Sequence, residues 1–153
     1  MQNDQIKPTL STIGYEGRTS EAYFCALVGA GITVLCDVRR NPISRKPGFS
    51  RTALSHRCEE LGIQYVHIPT LGIESEKRKT LKTQDDYDAL FAEYEKTLLP
   101  HHRDDLERIQ KLVDAGERVA LTCFERKPSQ CHRHCVTDAL RRLSCQRIKV
   151  KSL

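Results

Sequence analysis

The chain has 153 residues, 39% hydrophobic and 29% charged, with a formal charge of +5. One domain over residues 1–153 is expected at that length, and the balance is that of an ordinary soluble globular chain. No apolar run approaches the roughly 18 residues that span a bilayer, so no membrane partner is expected.

MQNDQIKPTL carries no apolar core of the signal-peptide kind, and a cytoplasmic location is the expectation. The positive balance favours an anionic partner: a phosphate, a nucleotide or a nucleic acid. The absence of tryptophan weighs against a base-stacking platform for single strands. The cysteines number seven, an odd count, and without a secretory leader they argue against a disulfide framework.

TLSTIG, residues 9–14, reads as a short strand ending at Gly14. Thr19 can cap a helix over SEAYFCALVGAG, stopped by Gly29 and Gly31. Thr33 to Val38 is a buried strand, and a Pro-rich loop over residues 40–48 follows it. Ser50 is placed to cap a helix over RTALSHRCEEL, ended by Gly62. Ile63 to Ile68 forms the next strand, halted by Pro69.

Residues 70–84 are polar and irregular, a long connection of the functional kind. DDYDALFAEYEKTLL reads as one helix ending before Pro100. DDLERIQKLVDAG reads as another, with Leu106, Ile109, Leu112 and Val113 at the helical period. RVALTCF is a strand, Cys131 to Leu143 a last helix, and RIKVKSL a candidate edge strand. Alternating strands and helices predict an α/β fold: a single three-layer domain with a mostly parallel sheet flanked by helices.

In open α/β sheets, ligands bind beyond the carboxyl ends of the strands. Each predicted strand delivers polar groups there: Tyr15 and Glu16, then Asp37 and Arg39, then Tyr65 and His67, then Cys123 and Glu125. Residues two apart share a side, so Asp37 goes with Arg39, Tyr65 with His67 and Cys123 with Glu125. Asp37 at the end of an apolar strand needs a partner. Arg39 can be that partner, or both can face a ligand, since an arginine fork suits phosphate or carboxylate. His67 is equally read as a structural imidazole or a proton carrier.

The segment TCFERKPSQCHRHC, Thr122 to Cys135, admits three readings. A zinc knot lacks the usual Cys-x-x-Cys pairing, and no metal is assigned. Cys131 in a first helical turn, capped near Ser129 or Gln130 and beside His132, could be an activated nucleophile or an inert packing thiol. An anion cradle of helix N–H groups with Arg126 and Arg133, and Glu125 as base, uses most of these residues at once and ranks first. Cys25, Cys36, Cys58 and Cys145 read as small buried hydrophobes, and Cys135 falls on the core-facing stripe of the last helix.

TIGYEGRTSEAYF, CDVRRNPISRKPGFS, GIQYVHIPTL with Gly72, and TCFERKPSQCHRH together resemble the domain of unknown function 488 family, in its order. Ile73 and Glu74 follow Gly72 where the family pattern often has another Gly and an Arg. The resemblance implies a compact α/β domain. It marks Tyr15, Asp37, Arg39, Pro42, Ser44, Phe49, Tyr65, His67, Glu125, Cys131, His132 and Arg133 as motif positions, and it implies no particular reaction. CDVR at a strand end, followed by a later strand, cysteine and helix, is also similar to rhodanese-like sulfurtransferases, without their compact Cys-x5-Arg cradle.

The expectation is therefore a pocket, enzyme-like, for a phosphorylated or nucleotide-like anion. Asp37, His67, Glu125, Cys131 and His132 are the catalytic candidates. Tyr15, Arg39, Ser44, Tyr65 and Arg133 are the ligand-binding ones, and no cofactor is assigned. The alternatives are a nucleic-acid module using two basic stripes, Arg39, Arg40, Arg45, Lys46, Arg51 and Arg57, and Arg141, Arg142, Arg147, Lys149 and Lys151, or a thiol or sulfur-transfer protein.

Overall fold

A computed structural model describes residues 8–127 and 130–153. The leader reading of the first residues and the capping role of Ser129 lie outside the described residues. The chain forms β1 (Thr9–Gly14), α1 (Ser20–Gly29), β2 (Val34–Asp37), α2 (Arg51–Glu60) and β3 (Gln64–His67). It continues with α3 (Gln84–Glu93), α4 (Arg103–Asp114), β4 (Val119–Cys123), α5 (Arg133–Leu143) and β5 (Lys149–Ser152). The strands lie in the order β3-β2-β4-β1-β5, and every pairing is parallel. RIKVKSL does supply an edge strand, against β1.

Parallel sheets need cover on both faces, and two apolar layers provide it. Val34, Cys36, Val119 and Leu121 pack with Ile109, Val113, Val136 and Leu140 of α4 and α5. Ile13, Leu35 and Ala120 pack on the other face with Tyr23, Leu27, Leu54 and Cys58 of α1 and α2. Leu10, Leu27, Leu35, Leu54, Ile109 and Leu121 are fully buried. Each such side chain contributes about 1.5–3 kcal/mol. Among the described residues no helix is long and apolar enough to cross a membrane.

Local signals hold at most boundaries. Thr19 Oγ1 accepts the Ala22 N–H at the start of α1. Gly62, at φ +72°, takes the left-handed turn that ends α2. Ser50 departs from its capping role: its hydroxyl accepts the Ser44 N–H and donates to the Ser44 carbonyl, which ties the Pro-rich loop to the start of α2.

Three expectations need correction. The helix foreseen to Leu99 stops at Glu93, opens into a wide turn over Tyr94–Leu98 and tightens over Leu99–His102. Pro100 has no N–H for the preceding turn, and Thr97 Oγ1 donates to the Glu93 carbonyl in competition with the helix. Second, α5 begins at Arg133, so Cys131 precedes the helix. Third, Cys25 and Cys145 are exposed, whereas Cys36, Cys58 and Cys135 are buried.

Candidate functional site

The carboxyl ends of β1, β2 and β4 lie side by side, with Gly14 opposite Cys123 and Asp37 opposite Thr122. Alternation sends the side chains at these ends to opposite faces. Asp37 points toward the α1/α2 layer, as Leu35 does, and Cys123 toward the α4/α5 layer, as Leu121 does. Two buried polar groups result, one on each face, and they meet at the strand ends.

The first is built on Asp37, which is fully buried. Its Oδ1 accepts from the Arg39 backbone N–H at 3.2 Å and from Arg39 Nε at 2.8 Å. Its Oδ2 accepts from Arg39 Nη2 at 2.6 Å and from the Tyr65 hydroxyl at 2.5 Å. Arg39 Nη1 donates to the Phe49 carbonyl at 2.6 Å and to Tyr15 Oη at 3.2 Å. Burial opposes the charge on Arg39, and Asp37 overrides it, so the guanidinium pKa lies above its usual value. Burial, then the Asp37 charge, raises the Tyr65 phenol. The Tyr15 ring stacks on Phe49 with centroids 4.5 Å apart, and its own O–H remains to donate. His67 Nε2–H donates to the Arg39 carbonyl at 2.8 Å, so this ring fixes the backbone that follows the strand.

The second group surrounds Arg133, the largest fully buried side chain. Its Nη1 donates to Cys123 Sγ at 3.0 Å and to the Glu125 carbonyl, and its Nη2 to the Arg126 carbonyl at 2.9 Å. Its backbone N–H donates to Cys131 Sγ at 3.4 Å. Burial is the main force lowering the Arg133 pKa. The sulfurs of Cys123 and Cys131 are joined, one linked pair where the composition argued against disulfides. Glu125 Oε1 accepts from Arg78 Nη1 at 2.7 Å, while its Oε2 is buried without a hydrogen-bond partner among the described residues. Cys123, Glu125 and Cys131 offer ligand atoms within 4.8 Å of one another.

His132 is fully enclosed. Its Nε2–H donates to the Val38 carbonyl at 2.9 Å, and its Nδ1 accepts from Arg78 Nη2 at 2.8 Å. Burial, then the Arg78 charge, pushes its pKa down to about 3, so the ring is neutral. Through Val38 it links the second group to the end of β2.

Glycine permits one close approach here. A Cβ on Gly14 would lie 1.9 Å from the Glu125 carbonyl oxygen. The Gly14→Ala substitution is expected to lower stability by about 1–3 kcal/mol through forced displacement of the 124–126 backbone. Urea unfolding measures it, and an unchanged midpoint would show that this backbone has slack.

A cavity of about 260 Å³ opens where the two groups meet. Tyr15, Arg39, Arg40, Arg45, Arg78 and Phe124 line it, with Ser44 on the Pro-rich loop. Ser44 Oγ accepts the Lys46 N–H. Arg40 pairs with Glu74 at 3.4 Å, and among the described residues Arg45 makes no ion pair. Tyr65 and His67 stand behind Asp37 and Arg39. Glu125, His132 and Arg133 stand behind Arg78 and Phe124.

Arg78 was not singled out from sequence. It sits in a short tight turn, Ser75–Arg78, within the irregular 70–84 segment. The flanking Lys77 and Lys79 make it look like one charge of a solvated run, and no periodicity there tells which one turns inward.

No curated protein matches the chain, and neither does any solved structure. A family model does, across residues 18–140, and those residues include Asp37, Arg39, Tyr65, His67, Glu125, Cys131, His132 and Arg133. The chain belongs to the family of the domain of unknown function DUF488.

Proposed function

We propose that this protein is an enzyme that binds a small phosphorylated or nucleotide-like anion at the carboxyl ends of β1, β2 and β4. The observation that carries the reading is the cavity lined by Arg39, Arg40, Arg45 and Arg78. Four guanidiniums around one concave space favour an anion, and the fork geometry favours phosphate or carboxylate oxygens.

The supporting residues divide by what they have left to give. Asp37 accepts four hydrogen bonds, so it orients Arg39 rather than taking a proton. Tyr65 holds Asp37, and His67 holds the backbone of Arg39. Both ring nitrogens of His132 are engaged, and its role is to aim Arg78. Tyr15 keeps its hydroxyl proton for a ligand oxygen. Glu125 stands behind Arg78 rather than on the cavity wall, and its Oε1 helps to aim that guanidinium. A persulfide carrier must present its sulfur, and Cys123 and Cys131 are both buried, so sulfur transfer has less support.

Calorimetric titration with inorganic phosphate, pyrophosphate and nucleoside diphosphates tests binding, and a panel of phosphate esters tests turnover. Saturable binding is expected, weakened about tenfold or more by Arg45→Ala, with a shallow salt dependence. Oligonucleotide binding with a steep salt slope and no small-anion site would establish the nucleic-acid module instead. Saturable binding with no turnover across the panel would leave a binding protein and remove the enzyme.

A further inference from the structure

We propose that the reduced protein holds one thiophilic divalent cation of the zinc class through Cys123 Sγ, Cys131 Sγ and Glu125 Oε2. The three groups come from the end of β4, the residue two beyond it and the approach to α5. All are buried, with their ligand atoms within 4.8 Å of one another. Sulfur, sulfur and carboxylate oxygen form a donor set that zinc takes readily.

Three independent features point to an ion. Glu125 Oε2 is buried and has no hydrogen-bond partner among the described residues, while its sister oxygen is fixed by Arg78. A buried carboxylate oxygen left unpaired is costly, and a cation supplies what is missing. Next, Arg133 donates to both sulfurs, from its side chain to Cys123 and from its backbone to Cys131. Donors to sulfur stabilise thiolates and commonly stand behind metal-bound cysteines. Finally, the two Cα atoms are 7.4 Å apart. Disulfides usually span about 4.4–6.8 Å. Two sulfurs each about 2.3 Å from a tetrahedral ion need the greater reach.

His132 is excluded as a ligand, because its Nδ1 accepts from Arg78 and its Nε2–H donates to the Val38 carbonyl. Three protein ligands leave a fourth position for water or a small anion, the pattern of catalytic rather than structural zinc. The linked and metal-bound states of the sulfurs exclude one another. A trialkylphosphine opens the first: phosphorus becomes the phosphine oxide with oxygen from water, and the sulfurs leave as two thiols. Ion binding then releases the thiol protons to solvent.

The test titrates cobalt(II) into the full chain after anaerobic phosphine reduction and desalting, followed by zinc displacement. One equivalent of cobalt with thiolate charge-transfer absorption in the near ultraviolet is expected, lost on adding zinc. The absorption should vanish in Cys123→Ser and in Cys131→Ser. Glu125→Gln, an isosteric change at one ligand oxygen, should weaken cobalt binding about tenfold or more while the far-ultraviolet circular dichroism stays unchanged. Absence of the absorption in wild-type protein whose thiols are shown to be free by alkylation overturns the proposal. So does its persistence in both serine variants, which would place the ion on other cysteines, and so does unchanged affinity in Glu125→Gln.

Discussion

The Asp37→Asn substitution is expected to destabilise the protein by about 3–5 kcal/mol, although the side chains have nearly the same shape. The carboxylate sits at zero exposure and takes two bonds from the Arg39 side chain, one from its backbone and one from Tyr65. Asparagine offers one acceptor and one donor. If its carbonyl keeps the Oδ1 place, its amide faces Arg39 Nη2, donor against donor, and Arg39 loses its counter-charge in a site 7% exposed. The cost is that of an uncompensated buried cation. Urea unfolding at neutral pH measures it, and Arg39→Met in the same background should recover part of the loss. A loss under about 1 kcal/mol would show that water reaches the guanidinium.

Arg133→Met is expected to cost about 3 kcal/mol, chiefly because the Glu125 and Arg126 carbonyls lose their donors. The loss is partial because wild type already bears the burial of this cation, including an Nε without a partner among the described residues. Arg133→Lys keeps the charge, but a single ammonium cannot span two carbonyls and a sulfur, so it should restore less than half of the stability. Thermal unfolding of the three proteins under matched redox conditions decides this. A lysine variant as stable as wild type would show that charge alone holds the β4–α5 connection.

Strand and helix order was legible because each strand is a short apolar run closed by Gly, Pro or charge, and α4 carries an unbroken apolar stripe. The gathering of Asp37, Arg39, Tyr65 and His67 was also foreseeable, since strand ends in a parallel sheet share an edge. What sequence hid was parity between strands. Pairs two apart could be matched within β2 and within β4, but register across strands decides that the two sets face opposite layers. Arg78 was hidden for a different reason: its reach to Glu125 and His132 depends on tight turns after β3, which no period announces. The linking of Cys123 to Cys131 depends on where a loop closes, and cysteine counts carry no such information.

The strand order also sets a timetable. β1 hydrogen-bonds only to β4 and β5, the last strands in the chain, whereas β2 and β3 can pair early through α2. Leu10 therefore stays without its neighbour Val119 until most of the polypeptide has been synthesised. Closing so long a loop costs entropy before any contact repays it, and sheets built this way fold slowly. Because the cavity takes its walls from the ends of β1, β2 and β4, its assembly is one of the final events of folding. A nascent chain halted before β4 carries a two-stranded fragment and no such cavity.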